Sequence, residues 1–413
     1  MVDVRRAPDP GASEIGQRVR MIRKRRGLSL DAAAGLAGIS KPYLSHLETG
    51  KRNFERRSLL ENLAAALGCA VADFTGQSYS PPDRDTADVL ATLPDIRLVL
   101  NDYAPDEVPV ASPRPVGQLA SLVDRASAHR DQARYNAAWR DLGTVLLELQ
   151  AQVQAGATTD REQALFSLVD AWMVAAAVAK NFGYIDLSIA ATNRGHHYAQ
   201  LHGGDGVLSF AEWYWALGLM RSSARHRASA VLTRAIDDMT TRVHLGGIDT
   251  TVAEMVGLMH LTFAQTAARS GSVDDAYEHL DEANRIARRV GERNTLRRHF
   301  GPTNVASWRL AIGIELGEGA RAYADAINAP IDVQALDSNE RTAALHLDFA
   351  RALSQENGSR DGEVIRYLDT ADRIAPQLIR QDPLARDLVV ALSRRARRGV
   401  WELDSLRNRF GIR

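Results

Sequence analysis

The stretch GLSLDAAAGLAGISKPYLSHLETGK, residues 27–51, decides the fold of the N-terminal part of this 413-residue chain. Its pattern predicts two short helices, over residues 30–36 and 41–48. Ser29 and Ser40 stand immediately before them, and a serine in that position caps a helix because its hydroxyl accepts a free backbone N–H. The sequence therefore predicts the residue at which each helix begins.

A tight turn, Ala37-Gly38-Ile39, separates the two predicted helices. Gly38 lies where a positive φ is needed, which glycine adopts without steric cost. Pro42 lies in the first turn of the second helix, where its missing N–H costs no hydrogen bond, and Gly50 ends that helix. Two short helices joined in this way form a helix-turn-helix, whose second helix enters the major groove of DNA.

Further landmarks extend this pattern over about sixty residues. They are Ile15-Gly16, Arg20, Arg23, Arg26-Gly27-Leu28-Ser29, Ala37-Gly38-Ile39-Ser40, Tyr43-Leu44-Ser45, Leu47-Glu48, Gly50-Lys51-Arg52, Leu59, Leu63-Ala64, Ala66-Leu67-Gly68 and Phe74. With these residues the stretch resembles the Cro/C1-type (XRE) helix-turn-helix family of phage repressors and bacterial regulators. It departs from the family at Leu30, where a Gln usually helps to hold the DNA backbone. It departs again at Phe54-Glu55, which replaces the usual Pro-Ser opening of the fourth helix.

The surroundings of the motif supply an apolar core and a basic surface. Ile15, Val19 and Ile22 recur at helical spacing and give the preceding helix one apolar face. Residues 1–79 carry 13 Lys+Arg and 8 Asp+Glu, whereas the whole chain carries 51 of each. This asymmetry favours phosphate binding at one end of the molecule.

The resemblance implies roles for the side chains of the second helix. It implies base-edge contacts from Lys41, which can pair with a guanine edge, from Pro42, which offers only apolar contact, and from His46. The predicted DNA-contacting set is Ser29, Ser40, Lys41, Pro42, Tyr43, Ser45, His46, Lys51, Arg52 and Asn53. In this set Tyr43 either contacts a phosphate or packs against the domain. Lys51, Arg52 and Asn53 are predicted to contact phosphates. Arg23 and Glu48 resemble the internal ion pair of the family, with a structural role.

The composition of the remaining chain predicts four segments: a flexible arm (1–13), the DNA-binding domain (14–76), a Pro-rich linker with a short helix (77–115) and a helical domain (116–413). The linker is predicted as a semi-rigid connector whose helix is interrupted at Pro94. Beyond it, helical runs alternate with short turns, and no run shows strand alternation. The fold class is therefore predicted to be all-α.

A helical repeat is predicted after the linker. In its best unit, 252–290, small residues fall twelve apart, at Ala264 and Ala276, and then at Ala283. This resembles the tetratricopeptide repeat (TPR), and the implied architecture is a five-helix Cro/C1-type domain followed by a TPR-like α-solenoid of paired antiparallel helices. Further pairs are predicted near 117–133 with 135–155, and over 168–201, 208–243, 303–327, 345–376 and 383–412. An irregular helical bundle is the alternative.

A solenoid leaves a concave surface that binds peptides or protein segments. The order of domains resembles two groups of bacterial regulators: a large set in which a run like His299–Asn304 recurs, and the peptide-responsive quorum-sensing regulators. The candidate ligand-binding residues are Asn193, Arg194, Trp213, Trp215, Asn304 and Trp308. The alternative role for each of these residues is repeat packing or helix capping.

Several classes of site are not expected. The single Cys69 excludes a disulfide within the chain and a Cys-based zinc site, and is predicted to be a buried core thiol. His196 and His197 point to different sides of a helix, so no metal is expected. No P-loop, GxGxxG motif or serine elbow indicates an enzyme or a cofactor. No apolar stretch near 20 residues and no signal peptide is found, so the protein is predicted to be cytoplasmic.

Three hypotheses of function remain. The first is a transcriptional regulator that binds an inverted-repeat operator in double-stranded DNA as a homodimer and senses a peptide or small-molecule effector in its helical domain. The second is a DNA-bound adaptor whose solenoid recruits a protein partner. The third is a helical scaffold whose head no longer binds DNA.

Overall fold

The computed structural model of the chain describes residues 14–76, 84–110, 112–155, 158–246, 249–356, 358–396 and 399–412. The regular elements in these ranges are helices, and one isolated antiparallel bridge joins Arg293 to Phe300. The predicted all-α fold is confirmed. The predicted N-terminal arm and the start of the predicted linker, up to Asp83, lie outside the described residues.

Five helices form the N-terminal unit, which we call the head. They are α1 (Glu14–Arg25), α2 (Leu30–Leu36), α3 (Lys41–Glu48), α4 (Arg57–Leu67) and α5 (Val71–Thr75). Helices α2 and α3 have the predicted bounds. The Ser29 hydroxyl accepts the Ala32 N–H at 3.0 Å, and the Ser40 hydroxyl accepts the Tyr43 N–H at 3.3 Å. Gly38 has a φ of 69°, as the turn between the two helices requires.

The predicted interruption at Pro94 is wrong. Helix α6 (Arg84–Asp102) runs through this proline without a break. Proline inside a helix removes one backbone hydrogen bond, but the buried side chains of this helix, among them Leu93 and Ile96, pack against its neighbours and offset that cost.

The rest of the predicted linker is also attached to the helical part of the chain. The Gln150 side chain donates to the Ala104 and Glu107 carbonyls, and Arg114 donates to the Glu148 carboxylate. The described part of the linker is thus not a free connector, because it packs along the helices that follow it.

The remaining helices form a second unit, the body. They are α7 (Val116–Asp131), α8 (Tyr135–Trp139), α9 (Leu142–Ala155), α10 (Thr158–Asn181), α11 (Ile185–His202), α12 (Asp205–Arg221), α13 (Arg225–Gly246), α14 (Thr250–Ser270), α15 (Val273–Val290), α16 (Pro302–Leu316), α17 (Gly319–Asn328), α18 (Asn339–Ser354), α19 (Asp361–Ile374), α20 (Pro376–Gln381), α21 (Pro383–Arg395) and α22 (Trp401–Arg409). The predicted single helix over 135–155 is wrong, because a turn splits it into α8 and α9 so that both Trp139 and Leu142 enter the core.

Paired helices dominate the body, as predicted for a TPR-like solenoid. Helices α10, α12, α14, α16 and α18 pack side by side as an inner row, and each also packs against the helix that follows it. The inner row closes into a ring because α18 also contacts α7, where Arg130 binds Glu340 at 2.8 Å and Ser338 binds Asp131 at 2.8 Å. The described residues thus enclose the concave side of the solenoid.

One body helix is long and apolar enough to cross a bilayer by length and composition, contrary to the sequence-based expectation. It is the segment Asp160–Asn181, and 78% of its most apolar window is buried inside the protein. The core helix of a soluble protein has the same properties, so this segment is weak evidence for a membrane span.

Candidate nucleic-acid interface

Helix α3 presents a polar face to solvent and an apolar face to the head. Leu44 and Leu47 are buried in the head core, whereas Lys41, Pro42 and His46 are exposed. Tyr43 and Ser45, also in the predicted DNA-contacting set, are half-buried, so α3 exposes three side chains fully. These three residues lie where the sequence predicts base-edge contacts, with the basic Lys41 at the start of the helix.

A buried ion pair fixes α3 against α1. The Arg23 guanidinium donates to both oxygens of the Glu48 carboxylate, at 2.5 and 2.7 Å, and also to the Leu28 carbonyl at 2.9 Å. Glu48 is only 2% exposed, and its bond to Arg23 raises the pKa of the guanidinium. A bidentate pair of this kind sets orientation as well as distance, so it holds the exposed face of α3 in place.

The segment after α3 differs from its predicted role. Lys51 is exposed and free to reach a phosphate, but the Arg52 guanidinium lies over the Tyr43 ring, 5.4 Å from its centroid. Asn53 is 3% exposed, so the predicted phosphate contact from this residue is contradicted. The chain turns inward here because the next residue, Phe54, is buried in the head core.

The profile of a family described as "Helix-turn-helix domain" matches residues 14–74, the span of α1 to α5 up to the penultimate residue of α5. This match agrees with the two capped helices, the turn at Gly38 and the exposed face of α3. Residues 14–74 are a helix-turn-helix domain. The head is therefore this domain, and the body is the helical part that follows it.

Two known proteins are similar to parts of the chain. The HTH-type transcriptional regulator DdrOP3 of Deinococcus deserti is 46% identical over 57 residues, which are 14% of this chain and 43% of that regulator. The chain thus spans less than half the length of this curated relative. The crystal structure of Bacillus thuringiensis PlcR in complex with the peptide PapR7 and DNA aligns at 15% identity with a TM-score of 0.27. That alignment covers 67% of this chain and 95% of that one, and a likeness of this degree carries no conclusion about the present chain.

The start of α4 in the helix-turn-helix domain is capped by the body. Its N-cap residue, Arg56, makes no side-chain capping bond. Instead the Glu315 carboxylate, near the end of α16, accepts the Arg57 N–H at 3.3 Å and the Ser58 N–H at 3.2 Å. Glu315 is itself held by Arg351 at 3.1 Å. The free N–H groups at a helix start need such partners, and here two of them are bound by a residue 258 and 257 positions away.

Further contacts fasten the domain to the body. Arg351 donates to the Glu55 carbonyl, and the Asp387 carboxylate accepts the Phe54 N–H at 2.6 Å. Arg225 and Arg269 both bind the Glu61 carboxylate on α4, at 2.7 and 3.2 Å. The side chain of Leu384, from the body, is buried in the head core. The domain and the body thus share one polar interface and part of one apolar core.

The candidate ligand-binding residues do not form one site. Arg194 donates to the Leu100 and Tyr103 carbonyls, where it fastens the end of α6, and the Trp213 indole donates to the Thr262 hydroxyl at 2.9 Å. Asn304 is buried and accepts from Arg341 at 2.8 Å. For these three residues the structure favours the packing role.

The other three candidates lie in different places. Asn193 is exposed on α11, whereas Trp215 is half-buried against the His196 ring and under the Arg227 guanidinium. Trp308 is half-buried against the body core. Neither the cavity lined by Glu14, Pro383 and Arg386 nor the cavity lined by Ser393, Leu403 and Arg407 is lined by any of the six candidate residues.

The remaining sequence predictions concern single residues. Cys69 is a free thiol, but it is half-buried at the edge of the head core, not fully buried, because it lies just beyond the end of α4. His196 binds Glu212 at 2.8 Å, and His197 is exposed. Among the described residues, no group of three or more His, Cys, Asp or Glu side chains could hold a metal ion.

Sequence reasoning missed the residues of the interface between domain and body, chiefly Glu315, Arg351 and Asp387. Their spacing from the helix-turn-helix motif carries no pattern. The available signal was Phe54-Glu55, which replaces the Pro-Ser opening that is usual for the fourth helix in the family that this domain resembles. A helix that lacks its own cap requires a partner from elsewhere.

Glu55 is expected to make the interface sensitive to pH. Its burial raises the pKa of the carboxyl to about 7, against the opposing charges of Arg52, Arg56 and Arg395. Folding thus favours the neutral acid, so this stability is fully present below about pH 4.5 and is lost as the pH rises through 7. We expect Glu55→Gln to flatten the pH dependence of the unfolding free energy between pH 4.5 and 8, measured by urea titration. An unchanged profile contradicts this assignment.

Proposed function

We propose that this protein is a sequence-specific DNA-binding transcriptional regulator, with no catalytic role. The observation that carries the proposal is the exposed face of α3, with Lys41, Pro42 and His46, held by the buried pair of Arg23 and Glu48. The recognition helix of a helix-turn-helix domain presents residues near its start to base edges. The basic excess of residues 1–79 supports phosphate binding by the same end of the chain.

The contacts divide into base readers and phosphate binders. We assign base-edge contacts to Lys41, Pro42 and His46, and a phosphate contact to Lys51, which is exposed just beyond α3. Ser29 and Ser40 use their hydroxyls as helix caps, which leaves the helix starts in place to face the DNA backbone. Asn53 is removed from the set because it is buried.

Two lysine variants test this division. We expect Lys41→Ala to lose about 1–3 kcal/mol of discrimination between the preferred site and a mutated site, because it removes a base-edge contact. Lys51→Ala should weaken binding to both sites equally and reduce the slope of log affinity against log salt by about 1. Sites selected from random duplex DNA by the full-length protein, followed by titrations at several salt concentrations, measure both effects.

Lys24→Ala is the matched control, because Lys24 is an exposed lysine on α1, outside α3. Equal loss of discrimination in the Lys24 and Lys41 variants contradicts the assignment. A full-length protein that binds no duplex DNA at low salt would instead favour the scaffold hypothesis.

We further propose that the protein binds an inverted repeat as a homodimer in the cytoplasm and that the body transmits an effector signal to the domain. The contacts of Glu315, Arg351 and Asp387 with the domain support the second part, because a rearranged body cannot leave α4 unchanged. Adding extract fractions that contain peptides and small molecules to the DNA titration tests for such an effector. A DNA affinity that no fraction changes counts against effector control.

A further inference from the structure

A cavity lies at the boundary between the helix-turn-helix domain and the body. The domain contributes Glu14 and Ile15, at the start of α1, and Thr75, at the end of α5. The body contributes residues of α21, among them Val390, and the segment after α22 with Ile412. Both units thus form the wall of this cavity, and none of its lining residues belongs to the recognition helix α3.

The cavity has the size of a small organic molecule. Its volume is about 260 Å³, just below the range of about 300–1,000 Å³ that is usual for drug-sized ligands. The side chains of Ile15, Pro383, Val390 and Ile412 make part of its wall apolar. A ligand that is smaller than a drug molecule and has an apolar part therefore matches the cavity in volume and in polarity.

Arg386, on α21, supplies a cation to this wall. Its Nη1 donates to the Phe410 carbonyl at 2.8 Å, and among the described residues no carboxylate lies within ion-pair distance of its guanidinium. The side chain is half-buried, and burial lowers its pKa against the opposing charge of Glu14. A guanidinium has five N–H donors in a planar fork, so an oxyanion can accept from the donors that the Phe410 carbonyl does not use.

The two carboxylates of the wall have other partners. Glu14 pairs with Arg18, one turn further along α1, and Asp387 accepts the Phe54 N–H at 2.6 Å. Arg386 is therefore the group that an incoming anion would meet. The same two carboxylates repel a ligand that carries several negative charges, so a singly charged anion fits this wall better than a phosphate.

We propose that this cavity binds a small monocarboxylic acid with an apolar body, and that Arg386 holds its carboxylate. Guanidinium and carboxylate groups form paired, charge-assisted hydrogen bonds, and the apolar side chains of the wall bury the rest of the ligand. The site stands on the cavity and its lining, and only its regulatory consequence, control of DNA binding, rests on the proposed function. Because the ligand contacts both units, it stabilises their docked arrangement relative to any arrangement in which they separate.

Titrations of the full-length protein without DNA test the site. Isocaproate serves as the probe, and isocaproamide is its matched control, because the amide has the same shape without the charge. In calorimetry we expect the acid to bind at least about tenfold more tightly than the amide. The acid should also raise the Tm by about 1–2 °C when its concentration is about ten times its Kd. Inorganic phosphate at equal ionic strength should not compete with it.

Two variants locate the binding. Arg386→Gln should weaken the binding of isocaproate at least about tenfold, because it removes the charge, and should leave the weaker binding of the amide unchanged. Val390→Phe should abolish the binding of both, because the larger side chain fills the cavity. Arg366→Gln is the control, since Arg366 is exposed on α19 and does not line the cavity; it should keep the wild-type affinity.

The proposal is overturned if isocaproate does not bind, if the acid and the amide bind equally, or if Val390→Phe keeps the wild-type affinity. It is also overturned if Arg386→Gln lowers the Tm but leaves the affinity for isocaproate unchanged, because the guanidinium then only holds the Phe410 carbonyl. These readouts need no DNA, so their failure leaves the DNA-binding proposal to its own test.

Discussion

Glu315→Ala is expected to destabilise the protein by about 3–5 kcal/mol, the usual cost of removing one partner from a buried charge network. The substitution leaves Arg351 without one of its carboxylates and removes the acceptor for the Arg57 and Ser58 N–H groups. Urea unfolding followed by circular dichroism measures the loss. Glu282→Ala is the matched control, because this carboxylate pairs with the exposed Arg285 and surface pairs contribute at most about 1 kcal/mol.

A second substitution separates the cap from the charge network. Arg56 occupies the N-cap position of α4 in an extended conformation and provides no capping bond. Arg56→Ser in the Glu315→Ala background should recover about 1 kcal/mol, because serine is a favourable N-cap. If the serine recovers nothing, the capping role of Glu315 is wrong and only its ion pairs matter.

The Glu315 carboxylate should also make the interface between domain and body sensitive to acid. Burial alone would raise the pKa of Glu315, but Arg269, Arg351 and the two backbone N–H groups of α4 hold it at about 2. Its folded-state pKa is thus depressed, so its contribution is present above about pH 4.5 and is lost as the pH falls towards 2. Glu315→Gln should remove this part of the acid transition.

Glu48→Ala is expected to lower the free energy of unfolding by about 3–5 kcal/mol and to abolish specific DNA binding. The alanine leaves the Arg23 guanidinium buried without its carboxylate and releases α3 from α1. Both unfolding in urea and binding to the selected DNA site should show the change. Discrimination should be lost even at temperatures where the variant remains folded, because the base-reading face is no longer fixed.

The double variant Arg23→Met with Glu48→Leu is the control for charge against packing. Replacing a buried ion pair by apolar side chains of similar size is often neutral or stabilising. We expect the double variant to be more stable than Glu48→Ala. A double variant as unstable as the single one would show that packing volume, and not the unpaired charge, sets the cost.

Local signals in the sequence predicted local structure well. The serines at 29 and 40, the turn glycine and the periodic apolar residues each act within a few positions, so α2 and α3 have the expected bounds. The sequence did not predict the burial of Asn53, because this burial depends on Phe54, whose partners lie elsewhere in the head. The predicted interruption of α6 at Pro94 is wrong for a related reason, since tertiary packing outweighs the local cost of a proline.

Long-range polar contacts could not be predicted from the sequence. The concave side of the solenoid was expected to offer ligand-binding residues, but Asn304 and Trp213 are used by Arg341 and Thr262 within the body. Which buried polar groups meet depends on how the ring closes between α7 and α18. No spacing along the chain encodes that closure, so residues such as Glu315 were not identified.

The place of Leu384 within the head core has a consequence for exchange and engineering. A helix-turn-helix domain that is transferred to a new sensor needs a complete apolar core and capped helices. Here the body supplies one side chain of the domain's core, Leu384, and the Glu315 carboxylate that caps its fourth helix. Transfer of the domain to another protein therefore requires one of two conditions. Either the new partner provides an equivalent leucine and carboxylate, or the head is redesigned with its own serine cap and a filled core.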